Sequence, residues 1–362
     1  LRSRDESGVT IGGRPHPVTH KNESATSTTL ALPGPGLRSI LGQTEAVAFL
    51  QRAMSAGRLA TALLFEGPNG VGKLRCARAL AQCLLCAAPR DDHDSCGACT
   101  ACKLVAHGQH PDVIVLARDV DILTQKDQEG SDAKSEITID KVRALQSERL
   151  AYFAHTNARV IIVRDAHDLN GPSANALLKT LEEPPTNTHF VLVTHRASEL
   201  LVTVRSRCQR VRFATLRSAD IEQIVRQNGA AEDRVADLVR WADGSAARAL
   251  DALAGDGLSM RQTWVEQTLS ALRAAKPGAV VDLAERLAKH CDSAEGELEA
   301  ILHLLERHFR DEAIANANDA KHAVVNVARS QFVRLAALTL DRNAKAQMMI
   351  EAMLVRLRDV RA

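Results

Sequence analysis

Apolar positions change their period along the chain. Between Gln43 and Ala56 they recur at helical intervals, with Val47, Leu50 and Ala53 on one stripe. Ala62-Leu63-Leu64-Phe65-Glu66 is a short apolar run, read as a buried strand, and a helix is expected from the following loop to about Cys86. Val113–Leu116, Arg159–Val163, His189–Thr194 and Val211-Arg212-Phe213 read as further strands. Between them, Ile137–Leu150 is patterned as an amphipathic helix. Asn175–Leu181 is a helix that stops at Glu182-Glu183-Pro184-Pro185, because a proline disfavours helix at the residue before it. The acidic stretch 118–135 reads as a mobile loop.

Alternation of strands and helices predicts a parallel α/β sheet up to about residue 214. Beyond it the pattern is helical: Ser218–Asn228, Ala231–Ala242, Ala246–Leu253, then 260–362 with a break at Pro277-Gly278. Stripes such as Leu298, Ile301, Leu302 and Leu305 fit the core of any helical bundle. The expected organisation is therefore an α/β domain over 37–214, a small helical lid over 215–256 and an all-α domain over 257–362. Residues 1–36, rich in Ser, Thr, Gly and Pro, are expected to be a disordered extension.

Composition changes this picture little. Aromatics are only 3 % and the formal net charge is +2, so a dedicated nucleic-acid-wrapping protein is not expected. No apolar run reaches about 18 residues, so no membrane-spanning helix is predicted, and the first residues lack the apolar core of a secretory signal. Eight cysteines without such a signal point to a reducing, cytoplasmic compartment, where clustered thiols bind metal more often than they pair.

The chemistry begins after the first strand. Gly67-Pro68-Asn69-Gly70-Val71-Gly72-Lys73 matches most of the phosphate-loop pattern. Glycines let successive backbone N–H groups wrap a phosphate, the helix start adds positive potential, and Lys73 neutralises the outer phosphates. The next residue is Leu74, not the Ser or Thr whose hydroxyl binds Mg²⁺. ATP or ADP is therefore a possible rather than a required ligand. The strand Val160–Val163 should deliver a metal-binding Asp and then a water-activating Glu. It is followed instead by Arg164-Asp165. With Arg164 in the metal position a cation opposes Mg²⁺. With the register slid to make Asp165 the ligand, Ala166 replaces the base. Either way one carboxylate is missing, and hydrolysis by this chain alone is expected to be poor or absent. No polymerase or nuclease centre is visible.

Cys86-x9-Cys96-x2-Cys99-x2-Cys102 supplies four thiolates in the segment 86–102, with His93 and His107 nearby as substitutes. A Cys₄ set suits structural, tetrahedral Zn²⁺. Free thiols or an iron–sulfur cluster fit the spacing alone. Cys76, Cys83, Cys208 and Cys291 read as buried small residues.

Taken with His110-Pro111-Asp112, the run Ala174-Asn175-Ala176-Leu177-Leu178-Lys179-Thr180-Leu181-Glu182-Glu183-Pro184-Pro185, and Ser206-Arg207-Cys208, this chain resembles the bacterial DNA polymerase III clamp-loader AAA+ family, strongly over about 40–255. The resemblance implies a P-loop AAA+ domain with a zinc module, a helical lid and a helical collar. It implies assembly with gamma/tau and delta subunits in a hetero-pentameric ring that loads a sliding clamp on primed DNA, near the nucleoid. Arg207 looks like the arginine finger that reaches a neighbour's ATP, with Arg205 and Arg210 as weaker candidates, and Thr194 matches the polar sensor position. The lid arginine expected two places after Gly244-Ser245 is replaced by Ala247, with Arg248 one place on. Lys179 is read as a solvated lysine before a DNA contact. The weakened acidic motif, and the lack of a long tau-like extension, point to the delta-prime kind. The alternative is the ATP-hydrolysing gamma/tau kind.

Overall fold

The computed structural model describes residues 36–127, 136–151, 154, 156, 158–254, 257–273, 278–291, 297–340 and 346–360. The extension 1–35, part of the acidic stretch (128–135) and residues 274–277, which include the expected break at Pro277, lie outside them.

Five strands form one wholly parallel sheet: β1 (Ala62–Glu66), β2 (Val113–Leu116), β3 (Arg159–Val163), β4 (Thr188–Thr194) and β5 (Gln209–Arg212), in the order β2-β3-β4-β1-β5. β1 and β3 are buried along their whole length, as a sheet covered on both faces requires. Side chains alternate between two cores. Leu63, Phe65, Val160, Ile162, Val191 and Val193 enter the first, with α1 (Thr44–Ser55) and α2 (Lys73–Leu85). Leu64, Ile161, Val163, Phe190 and Leu192 enter the second. There they meet α4 (Ile139–Ala144) and α5 (Gly171–Glu182). The short α3 (Thr100–Ala106) packs beside α2.

Three element boundaries differ from the sequence expectation, and one is β5, expected over Val211–Phe213 and found to start two residues earlier, at Gln209–Arg212. The helix expected over Ile137–Leu150 is α4, followed by a wide π-type turn at Leu145–Arg149. α5 starts a turn earlier than Asn175. Asn170 caps it by accepting from the Ser173 N–H at 3.0 Å, and Pro172 sits in the first turn, where its missing N–H costs nothing. A four-residue helix, α6 (Val202–Arg205), was not expected.

No strand follows β5 among the described residues. α7 (Ser218–Gln227), α8 (Glu232–Ala242) and α9 (Ala246–Ala254) surround a small core of Ile221, Val225, Leu238 and Trp241. α10 (Gly257–Arg273), α11 (Gly278–Cys291), α12 (Glu297–Ala315), α13 (Ala320–Leu340) and α14 (Ala346–Asp359) build another, around Leu283, Leu302, Leu305, Phe309, Ile350 and Leu357. No helix among the described residues is long and apolar enough to cross a membrane.

Candidate nucleotide and metal sites

In a parallel sheet every strand ends on the same side, and ligands gather outside those carboxyl ends. β1 runs into the loop 67–72, β3 into Asp165 and β4 into Thr194, so the sheet brings these groups together. Thr194 pairs in register with Glu66, immediately before the loop.

Gly67, Gly70 and Gly72 all take positive φ, at +146°, +73° and +95°. Val71 is buried, Asn69 is exposed, and Leu74 packs into the first core. Lys73 is only 6 % exposed. Its ammonium donates to the Gly67 carbonyl at 2.8 Å and to that of Pro68, so the loop's own carbonyls hold the charge. Burial lowers its pKa to about 8, and Asp165 opposes the shift. The lid-side helix reaches the same loop. The Ala247 N–H donates to the Gly70 carbonyl at 3.1 Å, while Arg248 turns away to the Ala242 and Asp243 carbonyls at 3.0 and 3.1 Å. Arg248 thus closes the C-terminus of α8 and does not face the loop.

Arg164 extends from the end of β3 and pairs with Asp119. Asp165 adopts the left-handed conformation, at φ +47°, and presents its carboxylate towards His195 Nδ1 at 3.9 Å. His167 Nδ1 lies 3.1 Å from Thr194 Oγ1. Burial, then neighbouring cations and, at His195, the other ring lower both imidazole pKa values to about 4. These two histidines were not singled out from the sequence. One follows each strand end, but single histidines after strands carry no local signature.

Arg207 stands elsewhere. Extending the register Leu63↔Gln209 back by two residues makes it level with Thr61. It is therefore at the opposite end of the strands from Gly67, about 20 Å away along them. Its Nε donates to Glu182 Oε1 at 2.5 Å and its Nη1 to the Thr203 carbonyl at 2.9 Å. Arg210 is bound to Glu66 at 2.8–3.0 Å, and Arg205 Nε is buried without a hydrogen bond. Lys179 is exposed on α5.

The four sulfurs of Cys86, Cys96, Cys99 and Cys102 lie within 4.8 Å of one another, and Cys96 Sγ is 3.9 Å from Cys102 Sγ. Tetrahedral Zn–S bonds of about 2.3 Å put sulfurs about 3.8 Å apart, so the donor set fits a metal. Backbone N–H groups of Ala98 and Cys99 reach Cys96 Sγ at 3.4 Å and lower its pKa to about 6, favouring the thiolate. Burial pushes Cys86 and Cys102 upward. His93 is not part of this cluster, and neither is His107, which turns to the Lys103 carbonyl at 2.7 Å. Cys76, Cys83 and Cys208 are buried as expected, and Cys291 is half-buried.

A parallel sheet with a phosphate loop after β1, an acidic residue after β3, a polar residue ending β4 and helices behind defines a P-loop protein of the AAA+ class. Residues 42–217 match the family model described as DNA polymerase III, delta subunit. The chain is 34 % identical over 215 residues to DNA polymerase III subunit delta' of Escherichia coli K12, covering 59 % of this chain and 60 % of that one. It is 38 % identical over 149 residues to subunit delta' of Pseudomonas aeruginosa (41 % and 42 %). It is 30 % identical over 337 residues to subunit gamma/tau of Mycobacterium tuberculosis H37Rv (84 % and 55 %). Over residues 42–217 the chain is thus similar to the DNA polymerase III clamp-loader AAA+ family, and it spans about half of the length of these relatives.

Proposed function

We propose that this chain is a delta-prime-type clamp-loader subunit, which assembles the ring and serves a neighbour's ATP site more than its own. The observation that carries the reading is the position of Arg207, at the end of the sheet away from the chain's own phosphate loop. A guanidinium there is out of reach of Lys73, and by exchanging Glu182 for phosphate it would meet a nucleotide on an adjoining subunit, where trans-acting arginines contribute about 10³–10⁵ in rate in GTPases. Leu74 and Arg164, in place of Mg²⁺ ligands, support a weak site in this chain. So does a Lys73 ammonium already bonded to its own loop. Nucleotide binding through Gly67–Leu74, Asp165 and Thr194 is then non-hydrolytic.

In this reading residues 37–214 are the AAA+ domain, 215–256 the lid and 257–362 the collar that joins gamma/tau and delta subunits in a hetero-pentamer. The four cysteines hold a structural Zn²⁺. The ring opens a sliding clamp on primed DNA, in the cytoplasm at the nucleoid. Polymerase activity belongs to the holoenzyme. The gamma/tau reading has its own support, because a gamma/tau subunit matches 84 % of this chain.

The test is ATP turnover by a reconstituted clamp loader with clamp and primed DNA. Arg207→Ala is expected to lower turnover by about 1000-fold or more at its site, within the range of trans arginines, while Lys73→Ala changes it little. A crippled Lys73→Ala, with turnover by the isolated wild-type chain, makes it a motor subunit of the gamma/tau kind.

A further inference from the structure

We propose that Asp165, His167 and His195 form a second metal site, separate from the cysteine cluster, for a borderline divalent ion such as Zn²⁺ or Co²⁺. One ligand atom from each lies within 4.8 Å of the other two. The convergence is built by the sheet. Asp165 and His167 follow β3, His195 follows β4, and the two strands are direct neighbours paired Val163↔Leu192. Asp165, in its left-handed conformation, places its carboxylate 3.9 Å from His195 Nδ1, and the two imidazole rings meet edge to face with centroids 4.4 Å apart.

The chemistry of the donors selects the ion. Leu74 and Arg164 remove the oxygen donors that Mg²⁺ needs, while two imidazoles and one carboxylate form a set that suits Zn, Co, Ni or Fe(II) and leaves open positions. An outer shell is present. Thr194 Oγ1 is 3.1 Å from His167 Nδ1, which leaves Nε2 to coordinate. His167 Nε2 also lies 3.7 Å from Asp168, a further carboxylate.

The surrounding cations work against an ion, and most are matched. Arg164 is paired with Asp119, Arg118 faces Asp168 at 3.7 Å, and Arg196 faces Glu199 at 3.6 Å. Lys73 is held by its own loop. Arg196 Nε donates to His195 Nε2 at 3.1 Å. A metal on His195 Nδ1 moves the ring proton to Nε2, so Arg196 must swing fully to Glu199. That rearrangement makes this the weaker of the two sites.

Zinc bound to the full-length chain at equilibrium tests this, counted by atomic emission for the wild type, His195→Gln and Cys99→Ser. Two equivalents are expected in the wild type. His195→Gln should hold only the cysteine-bound one and keep its metal-free melting transition. Cobalt titrated calorimetrically into chain that retains one tightly held zinc gives a second readout that does not depend on Cys99→Ser folding. There, Thr194→Val should weaken binding about tenfold and His195→Gln at least about 100-fold. A single equivalent in the wild type, or a second equivalent that survives His195→Gln, overturns the site.

Discussion

At the residue scale, the most consequential side chain that sequence reading passed over is Asp94. It sits in the acidic run Asp91-Asp92-His93-Asp94, and no spacing marks which carboxylate is buried. In the fold Asp94 is fully buried. It accepts from the N–H groups of Leu37, Arg38 and Ser95 at 2.8–3.0 Å, from Arg38 Nε at 2.9 Å and from Cys83 Sγ at 3.0 Å. Burial alone would raise its pKa, but these donors hold it below the ordinary carboxylate value. Beside it Gln82 joins the Gly36 N–H at 2.7 Å to the Cys102 carbonyl at 2.9 Å. Together the two residues tie the segment Gly36–Arg38, α2 and the cysteine loop into one unit. Asp94→Ala leaves those donors buried and unpaired, and should cost about 3 kcal/mol. Urea unfolding of the full chain reads this directly, and a midpoint unmoved by the change would show that the network is not structural. The cysteines themselves were legible because metal ligation imposes spacing on sequence; a carboxylate that binds scattered backbone N–H groups imposes none.

At the scale of elements, the strands were legible because a sheet covered on both faces needs continuous apolar runs, and β1, β2 and β3 fall where those runs are. Helix starts were less so. Gly171-Pro172 resembles a turn, yet the Asn170 cap makes it the first turn of α5. The glycines of the phosphate loop carry a second lesson. A Cβ on Gly67 would stand 2.2 Å from the Phe213 carbonyl oxygen, just where the Phe213 N–H continues the sheet by donating to Glu66 at 2.8 Å. A Cβ on Gly72 would meet nothing within 4 Å, so only its positive φ resists substitution. Gly67→Ala should therefore destabilise the nucleotide-free chain by more than about 2 kcal/mol, and Gly72→Ala by about 1 kcal/mol. Melting temperatures without nucleotide decide this, and the reverse order would mean that Gly67 is kept for phosphate approach and not for packing.

At the scale of the whole molecule, the helical stripes foretold that cores exist after residue 214, but not how the two helical groups meet. They meet at Asp243, a left-handed residue that ends α8. Its carboxylate faces Arg310 at 3.2 Å and His303 Nε2 at 3.5 Å, both on α12, while Ala300 and Leu304 of the same helix pack against the α7–α9 core. A pairing between residues so far apart in the chain leaves no local pattern. It does leave a pH signature. His303 is held near pKa 4, chiefly by burial and then by Arg248, with Arg310 and Arg307 adding to the shift and Asp243 opposing it. Glu306, nearby, is raised by burial. The sign follows from where the proton is bound. Between pH 6.5, the ordinary histidine value, and about 4 the unfolded chain takes up a proton that the native His303 refuses. Folding stability must then fall as the pH drops through that window, and this loss is absent above it. His303→Gln keeps a polar group of similar length without the titration. Its urea midpoint should therefore fall less steeply than that of the wild type between pH 6.5 and 4.5. The two chains should run parallel above pH 7. Equal slopes on the acid side would mean that the contact opens before His303 charges, and that Asp243 with Arg310 carries the joint between the two helical groups.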